Sequence, residues 1–198
     1  WLVVEVKTKH MIDLNDKVKF KKGTVVFCGD CKGATDYILA NDPIASTKPV
    51  IGAMITTGDQ GTSVSGYKGT STSGDCGTST SGYHGTSTSG NCGTSTSGYS
   101  GKSISGYKGT STSGNCGTST SGNFGTATSG DYGTSISGNY GTSISGEKGT
   151  ATSGDEGTII IRYDKHFRSY LKVGYIGEDG LEPNVAYKLD DSHNFVKA

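Results

Sequence analysis

The stretch GYKGTSTSGDCGTSTSGYHGTSTSGNCGTST, residues 66–96, decides the fold because it repeats every eight residues. Glycine, threonine and serine hold six positions of each octad, while the remaining pair changes from YK to DC, YH and NC. Twelve octads of the form G-T-S-T-S-G-x-x run without interruption over residues 61–156. A strict period of this kind predicts a repeat architecture rather than a disordered chain.

The columns of the octad predict which side chains point inward. Positions two to five fit a short strand, whose side chains alternate in direction. Position two is threonine except at Lys102, and a lysine inside a narrow repeat would be an unpaired buried charge. Positions two and four are therefore predicted to face outward. Positions three and five, which hold only serine and alanine, are predicted to face a very thin interior.

Two octads are predicted to form one flattened 16-residue coil, with a strand and a turn in each half. Five turn residues recur at this two-octad spacing, namely Tyr67, Tyr83, Tyr99, Cys76 and Cys92. Tyr107 and Cys116 break the pattern, and a triangular coil of three octads is the alternative. The octad glycines are expected in the turns, where glycine takes positive φ without steric cost and lets two backbones approach closely.

The sequence around the octads predicts three segments and a mainly β fold. Residues 1–52 form an α+β segment: WLVVEV (1–6) and KVKFKKGTVVFCG (17–29) have strand composition, and GATDYILAND (33–42) is a short helix stopped by Pro43. Residues 53–160 form a narrow two-sided β-solenoid of octapeptide repeats. Residues 161–198 form a β-rich cap, with strands in GTIIIRYD, SYLKVGYIG and NVAYKLDD.

The two ends of the repeat carry larger apolar residues at the inward positions. AMITTGDQ (53–60) fits the register with Ile55 at position three, and GTIIIRYD (157–164) places Ile159 and Ile161 at positions three and five. Terminal repeats of a solenoid are expected to differ in this way, because they close the interior.

Composition excludes several function classes. The 18 basic and 18 acidic residues cancel, which argues against a nucleic-acid binder driven by electrostatics. No apolar run approaches the roughly 20 residues that cross a membrane, and no signal peptide is recognisable. Because the chain begins at Trp1 rather than Met, the N-terminus is expected to be truncated, and the compartment stays open. Five cysteines, an odd number, argue against a fully disulfide-bonded framework.

No residue pattern predicts catalysis, a metal site or a cofactor. The four histidines (His10, His84, His166 and His193) lie outside any nucleophile, metal or phosphate-loop motif. Cys28-Gly-Asp-Cys31 is a single CxxC, whereas a structural zinc site needs four ligands. The chain is therefore predicted to be non-enzymatic.

The repeats carry two resemblances. The alternation S-G-Y-x-G-T-S-T and S-G-D-x-G-T-S-T in residues 65–80 resembles the octads of bacterial ice-nucleation proteins, which implies Thr-x-Thr strands in a 16-residue coil. Nearly the whole chain is also similar to uncharacterised phage and bacterial proteins with TGYQG or TGDQG turns. The segments that carry this second resemblance are KGTVVFCGDCKGA (22–34), TTGDQGTSVSGYKG and VGYIGEDGLEPNVAYKL (173–189). It implies a phage or prophage setting and no established activity.

The outward threonines are the leading candidate site. With 16-residue coils, the odd octads share one face, and a threonine lattice with spacings of roughly 6.8 and 4.8 Å is predicted to order water or ice. It resembles the surface of β-solenoid ice-binding proteins. Its residues are Thr62, Thr78, Thr80, Thr94, Thr96, Thr110, Thr112, Thr126, Thr128 and Thr142. The alternative is that threonine is simply a suitable exposed strand residue.

A protein- or glycan-binding module is the second hypothesis, with the turn tyrosines Tyr67, Tyr83, Tyr99 and Tyr107 as the interface. Stacking that only stiffens the turns is the alternative interpretation of these rings. The partners expected from the sequence are further copies of the chain, joined through the solenoid edge or the caps as an oligomer or filament. An ice surface or a glycan is also open, whereas nucleic acid and membrane are not expected.

Overall fold

The computed structural model describes residues 1–14 and 18–198, with the backbone alone at Ser46. The chain divides into two compact units, Trp1–Ala45 and Ser46–Ala198. The second unit begins before the predicted boundary at residue 52. Within it the segment before the repeats covers the first turn, because Gly52 N–H donates to the Tyr67 carbonyl (2.9 Å) and Gly66 N–H donates to the Val50 carbonyl (2.7 Å).

The first unit has the predicted α+β composition. Its elements are β1 (Leu2–Glu5), β2 (Met11–Asp13), β3 (Val18–Phe20), β4 (Thr24–Cys28) and α1 (Cys31–Asn41), with a 3-10 turn at Thr8–His10. Strand β1 pairs antiparallel with β4, and β2 pairs antiparallel with β3. Asp30 caps α1, because its carboxylate accepts a hydrogen bond from Gly33 N–H at 2.7 Å. Lys17, the first residue of the second predicted strand segment, lies outside the described residues.

The second unit is the predicted β-solenoid, built from 16-residue repeats. A 3-10 turn at Ala45–Thr47 spans the division between the units. The strands that follow are β5 (Met54–Thr56), β6 (Thr62–Val64), β7 (Thr70–Thr72), β8 (Thr78–Ser81), β9 (Thr86–Thr88), β10 (Thr94–Ser97), β11 (Lys102–Ile104), β12 (Thr110–Ser113), β13 (Thr118–Thr120), β14 (Thr126–Ser129), β15 (Thr134–Ile136), β16 (Thr142–Ser145), β17 (Thr150–Thr152), β18 (Thr158–Lys165), β19 (Arg168–Tyr175), β20 (Tyr187–Leu189) and β21 (Phe195–Lys197). Alternate strands enter two sheets, and about seven coils result.

Each sheet grows by parallel, in-register pairing between strands that are two octads apart. Sheet I has the order β19-β18-β16-β14-β12-β10-β8-β6, and sheet II has the order β21-β20-β17-β15-β13-β11-β9-β7-β5. Thr94, for example, pairs with Thr78 on one side and Thr110 on the other. Within sheets I and II as described, only β19, β20 and β21 join antiparallel. The triangular coil is therefore wrong, because it would pair strands three octads apart.

The predicted side-chain directions are confirmed. The serines at positions three and five are at most 4 % exposed along the whole array, and Ala127 and Ala151 are fully buried. Lys102 is exposed and the neighbouring Ser103 is buried. The interior between the sheets is thus filled by small side chains, as the octad columns predict.

Many of the buried serine hydroxyls satisfy one another by a regular rule. Ser103 Oγ lies 2.9 Å from Ser97 Oγ and 2.5 Å from the Thr112 carbonyl oxygen. Because a carbonyl only accepts, the Ser103 hydroxyl donates to Thr112 and accepts from Ser97. The same connection joins a position-five serine to the position-three serine six residues later, for example Ser105 to Ser111 at 2.9 Å.

Ser121 shows what happens when this rule is broken. Its buried hydroxyl has no hydrogen-bond partner among the described residues, a state that it shares with Ser63 and Ser73 in the first coils. The position six residues after Ser121 is Ala127 instead of serine, so the acceptor that Ser97 and Ser105 find is absent. Ser73 lacks a partner although Ser79 lies six residues after it, so the missing serine explains Ser121 alone. A lone buried hydroxyl costs on the order of 1–3 kcal/mol, so the interior is locally weaker here.

Positive φ in the turns falls on position eight and not on glycine, which corrects one expectation. Lys68, Cys92 and Phe124 have φ of 54°, 54° and 57°, and the other position-eight residues are similar. The octad glycines are required for close approach instead. A Cβ on Gly101 would lie 2.7 Å from Ser97 Cβ, and one on Gly122 would lie 2.8 Å from the Gly106 carbonyl carbon.

An apolar plug closes the C-terminal end of the interior. Its buried residues are Ala151, Ile159, Ile161, Ile176, Leu181 and Tyr187. Val185, Leu189 and Phe195 pack against them. The predicted inward directions of Ile159 and Ile161 are confirmed, as is that of Ile55 at the opposite end. The predicted boundary at residue 160 falls inside β18, which runs from the last coil into the cap.

Candidate functional site

The ten candidate threonines lie together on the outer face of sheet I. Position two forms one file across six strands, because Thr62, Thr78, Thr94, Thr110, Thr126 and Thr142 pair in succession. Position four forms a second, parallel file of Thr80, Thr96, Thr112 and Thr128. We call this surface the threonine face. The structure extends it by Thr158, which pairs with Thr142 and which the sequence prediction missed.

The threonine face offers hydroxyls and methyl groups to solvent at a regular spacing. Its position-two residues are exposed or half-buried, and its position-four residues are half-buried. In the described part of the chain, no hydrogen bond joins any of the ten threonine hydroxyls to another protein atom. Parallel strands place neighbours in a file about 4.8 Å apart and the two files roughly 6.6 Å apart. The surface is therefore a rectangular grid of free hydroxyls.

The outer face of sheet II lacks this continuity. Lys102 interrupts its position-two file, and Met54 lies at the start of that file with 79 % of its surface exposed. Ile104 and Ile136 interrupt its position-four file. The two faces of one solenoid therefore differ in chemistry although the octads look alike.

The candidate interface tyrosines do not lie together. Tyr67, Tyr83 and Tyr99 occupy successive turns that lead from sheet I to sheet II, which we call the first edge. Tyr107 lies one octad further and so belongs to the second edge, where the turns lead from sheet II to sheet I. One octad is half a coil, so the two groups lie at opposite sides of the solenoid.

The first edge carries a packed aromatic cluster. His84 stands nearly perpendicular to Tyr67 and Tyr99, with ring centroids 5.8 and 6.4 Å apart, and Tyr83 lies 6.1 Å from Tyr99. Cys116 Sγ lies 3.5 Å from Tyr99 Oη, and this hydrogen bond raises the pKa of Tyr99. The rings of the first edge therefore contact one another along successive coils.

The second edge carries a different aromatic series, of which the site prediction included only Tyr107. Tyr107 lies perpendicular to Phe124 at 5.7 Å, and Phe124 stacks on Tyr140 at 4.9 Å with an interplanar angle of 8°. Lys108 lies 5.3 Å from the Tyr107 ring centroid. The sequence signal for this series was the recurrence of aromatic residues at position eight two octads apart, at Phe124 and Tyr140.

Asparagine and aspartate at position seven link the coils along both edges. Asp75 Oδ1 accepts from Asn91 N–H at 2.7 Å, and Asn91 Oδ1 accepts from Tyr107 N–H at 2.9 Å. On the first edge, Asp131 Oδ1 accepts from Glu147 N–H at 2.8 Å and also pairs with the Arg162 guanidinium at 2.8 Å. These turn residues therefore have a structural role, which the octad columns alone did not predict.

Two cysteines stack on the second edge. Cys76 and Cys92 are exposed free thiols at the same position of successive coils, whereas Cys116 lies on the first edge. Partial desolvation raises the pKa of the Cys76 thiol, and the neighbouring Cys92 adds to the shift.

On the first edge, the hydrogen bond to Tyr132 Oη (3.4 Å) raises the pKa of Lys148.

The described residues hold no group of three or more His, Cys, Asp or Glu side chains arranged to bind a metal ion. Cys28 ends β4 and Cys31 begins α1, and both are free thiols. No helix in residues 1–14 and 18–198 is long and apolar enough to cross a membrane.

Comparison with known proteins adds no further assignment. No protein-family model, no curated protein and no solved structure matches this chain. The arrangement of residues on the two faces and two edges is therefore the basis for a functional hypothesis.

Proposed function

We propose that this chain is a non-enzymatic β-solenoid whose threonine face orders water and contacts ice. The observation that carries the proposal is the pair of uninterrupted threonine files on sheet I, set in register by strand pairing. Each threonine presents one methyl group and one hydroxyl, so the grid combines apolar surface with hydrogen-bonding groups at a fixed spacing. A rigid grid loses little side-chain entropy on contact, because β-branched side chains are restricted at χ1.

Sheet II supplies an internal comparison for this proposal. It shares the interior and the parallel register of sheet I, although its repeat strands have three residues where most of those in sheet I have four. Lys102 and two isoleucines break its files. Lys102 also shows that the fold accepts lysine at position two. A lysine placed on either face therefore tests the chemistry of that face without disturbing the interior.

The experiment compares Thr110→Lys on sheet I with Thr134→Lys on sheet II. Both change position two in the middle of the array, and Thr134 pairs with Thr118 and Thr150 rather than with Lys102. We expect thermal hysteresis and inhibition of ice recrystallisation from the unmodified chain. Both should be largely lost in Thr110→Lys and kept in Thr134→Lys.

Three results would count against an ice-contacting face. One is the absence of both activities in the folded chain at high concentration. The others are equal loss in the two variants, or loss in Thr134→Lys alone. Circular dichroism of each variant provides the control that the solenoid is intact.

A second candidate function is supported by the exposure of the aromatic edges. Tyr83, Phe124 and Tyr140 are each at least half exposed, which suits contact with a glycan or a protein. Mutual packing of the rings supports turn stiffening equally well, so we rank this function second. From the sequence resemblance to phage and bacterial short-repeat proteins, we also propose a phage or prophage setting for this chain.

A further inference from the structure

Strand β19 is the edge strand of sheet I at the C-terminal cap, and no strand of the described residues pairs with its outer side. Ile176 N–H donates to the Gly157 carbonyl at 2.9 Å, which makes residues 157 and 176 a hydrogen-bonded pair. In an antiparallel pair, hydrogen-bonded and non-hydrogen-bonded residue pairs alternate along the strands. The backbone groups of residues 168, 170, 172 and 174 therefore bond to β18, whereas those of residues 169, 171 and 173 point away from β18 towards the free edge. A two-residue hairpin turn with positive φ at His166 (50°) and Phe167 (61°) agrees with this alternation.

The backbone groups that β19 directs away from β18 are free among the residues that the structure describes. In the described part of the chain, no hydrogen bond involves the backbone N–H or C=O groups of Ser169, Leu171 or Val173 on the side of β19 that faces away from β18. Such a row of unpaired groups is a template for another strand. The free edge of sheet II differs, because β21 is only three residues long.

Three of the four side chains that β19 directs to the outer face of sheet I are large, apolar or aromatic, and exposed; the fourth is Ser169. Leu171 is 63 % exposed and Tyr175 is 55 % exposed. Val173 pairs with Ile160, which pairs with Ile144, so an apolar row continues the position-four file of the threonine face to the free edge. Protein edges are usually protected by charges, prolines, bulges or short length. Strand β19 has eight residues without a bulge, and its Lys172 lies on the inner side.

We propose that β19 is the docking strand for a second copy of this chain. Two copies would pair antiparallel about a two-fold axis at Leu171, which places Leu171 opposite its own copy and Ser169 opposite Val173. The pairs at 169, 171 and 173 then exchange about six backbone hydrogen bonds. Sheet I of one copy continues into sheet I of the other, and the two threonine faces become one surface.

The residues of β19 are compatible with this register. On the inner face of the joined sheet, Tyr170 of one copy would lie opposite Lys172 of the other, and Arg168 would lie opposite Gly174. No two like charges would then face each other. An axis at Lys172 would oppose two lysines, which is unfavourable, and would direct the wrong backbone groups at the partner. The strand is therefore complementary to itself about an axis at Leu171, which also centres the pairing on the free groups of residues 169, 171 and 173. This inference stands whether or not the threonine face contacts ice.

Sedimentation velocity of the intact chain over a range of concentrations tests the proposal. We expect a reversible monomer–dimer equilibrium. Leu171→Lys should raise the dissociation constant at least about tenfold, because one substitution places two lysines opposite each other across the axis. Thr110→Lys adds the same charge to the same face far from β19 and should leave the equilibrium unchanged.

Hydrogen exchange on the unmodified chain gives a second readout that does not depend on a variant folding correctly. The amides of Ser169, Leu171 and Val173 should exchange more slowly at high protein concentration than at low concentration. A chain that stays monomeric throughout would overturn the proposal. A dimer that persists in Leu171→Lys, or whose formation leaves these three amides unprotected, would overturn it as well.

Discussion

Replacing Ser97 with leucine should strongly destabilise the repeat. Ser97 is 4 % exposed, its hydroxyl lies 2.9 Å from Ser103 Oγ, and its register neighbours in the adjacent coils are Ser81 and Ser113. A leucine has no space between two sheets whose inward side chains are serines, and it leaves Ser103 without its donor. Overpacking costs about 1–3 kcal/mol and the lost hydrogen bond about 1 kcal/mol more, and neighbouring coils share the distortion.

Thr96→Leu is the matched control for this variant. It introduces the same residue one position earlier, at an outward site where Ile104, Ile136 and Ile144 occur naturally in other octads. We expect its free energy of unfolding to change by about 0.5 kcal/mol or less. Thermal unfolding followed by circular dichroism measures both variants. A Ser97→Leu protein as stable as Thr96→Leu would contradict the assignment of inward and outward positions.

Replacing Gly122 with alanine should also be strongly destabilising. The added Cβ would lie 2.8 Å from the Gly106 carbonyl carbon, 2.9 Å from its oxygen and 2.9 Å from Tyr107 N. All three atoms belong to the backbone of the preceding coil, so no side chain can rotate away. The coils must separate locally, which weakens the hydrogen bond from Gly122 N–H to the Gly106 carbonyl (3.1 Å). We expect a loss of roughly 2–3 kcal/mol or more.

Gly58→Ala provides the comparison, because Gly58 occupies the same octad position in the first coil. A Cβ there meets nothing within 4 Å, so the variant should unfold close to the unmodified chain. The measurement is the shift in denaturant midpoint of each variant. Equal shifts for Gly58→Ala and Gly122→Ala would mean that the glycines serve backbone freedom rather than coil stacking.

Much of the repeat was predictable because few physical solutions fit its columns. Lys102 alone decides the parity of every strand, since a buried unpaired charge is excluded, and the burial of Ser103 agrees. Serine and alanine at two positions then require a thin interior. The apolar plug at Ile159 and Ile161 follows from the same register.

Other features depend on three-dimensional neighbours that a column does not contain. Glycine was expected to carry positive φ, yet position eight carries it at Lys68, Cys92 and Phe124, because the glycines are committed to contacts between coils. Tyr107 resembles Tyr99 in sequence but lies on the opposite edge. The free edge of β19 depends on where the cap ends, which the octads do not encode.

The two-octad coil is the premise of the threonine face, and the cysteines test it directly. Cys76 and Cys92 are two octads apart, whereas Cys92 and Cys116 are three octads apart. In-register neighbours lie about 4.8 Å apart, within the Cα separation that a disulfide accepts. Mild oxidation with a diazene oxidant, which takes up the two thiol hydrogens, should therefore link Cys76 to Cys92 and leave Cys116 reduced.

Tryptic mapping without reduction distinguishes the two coils. Cleavage after Lys68, Lys102, Lys108 and Lys148 places Cys76 and Cys92 in one peptide, 69–102, and Cys116 in another, 109–148. A two-octad coil predicts that peptide 69–102 becomes lighter by two hydrogen atoms while remaining separate. A disulfide that joins peptide 69–102 to peptide 109–148 would contradict the two-sided solenoid and with it the threonine face.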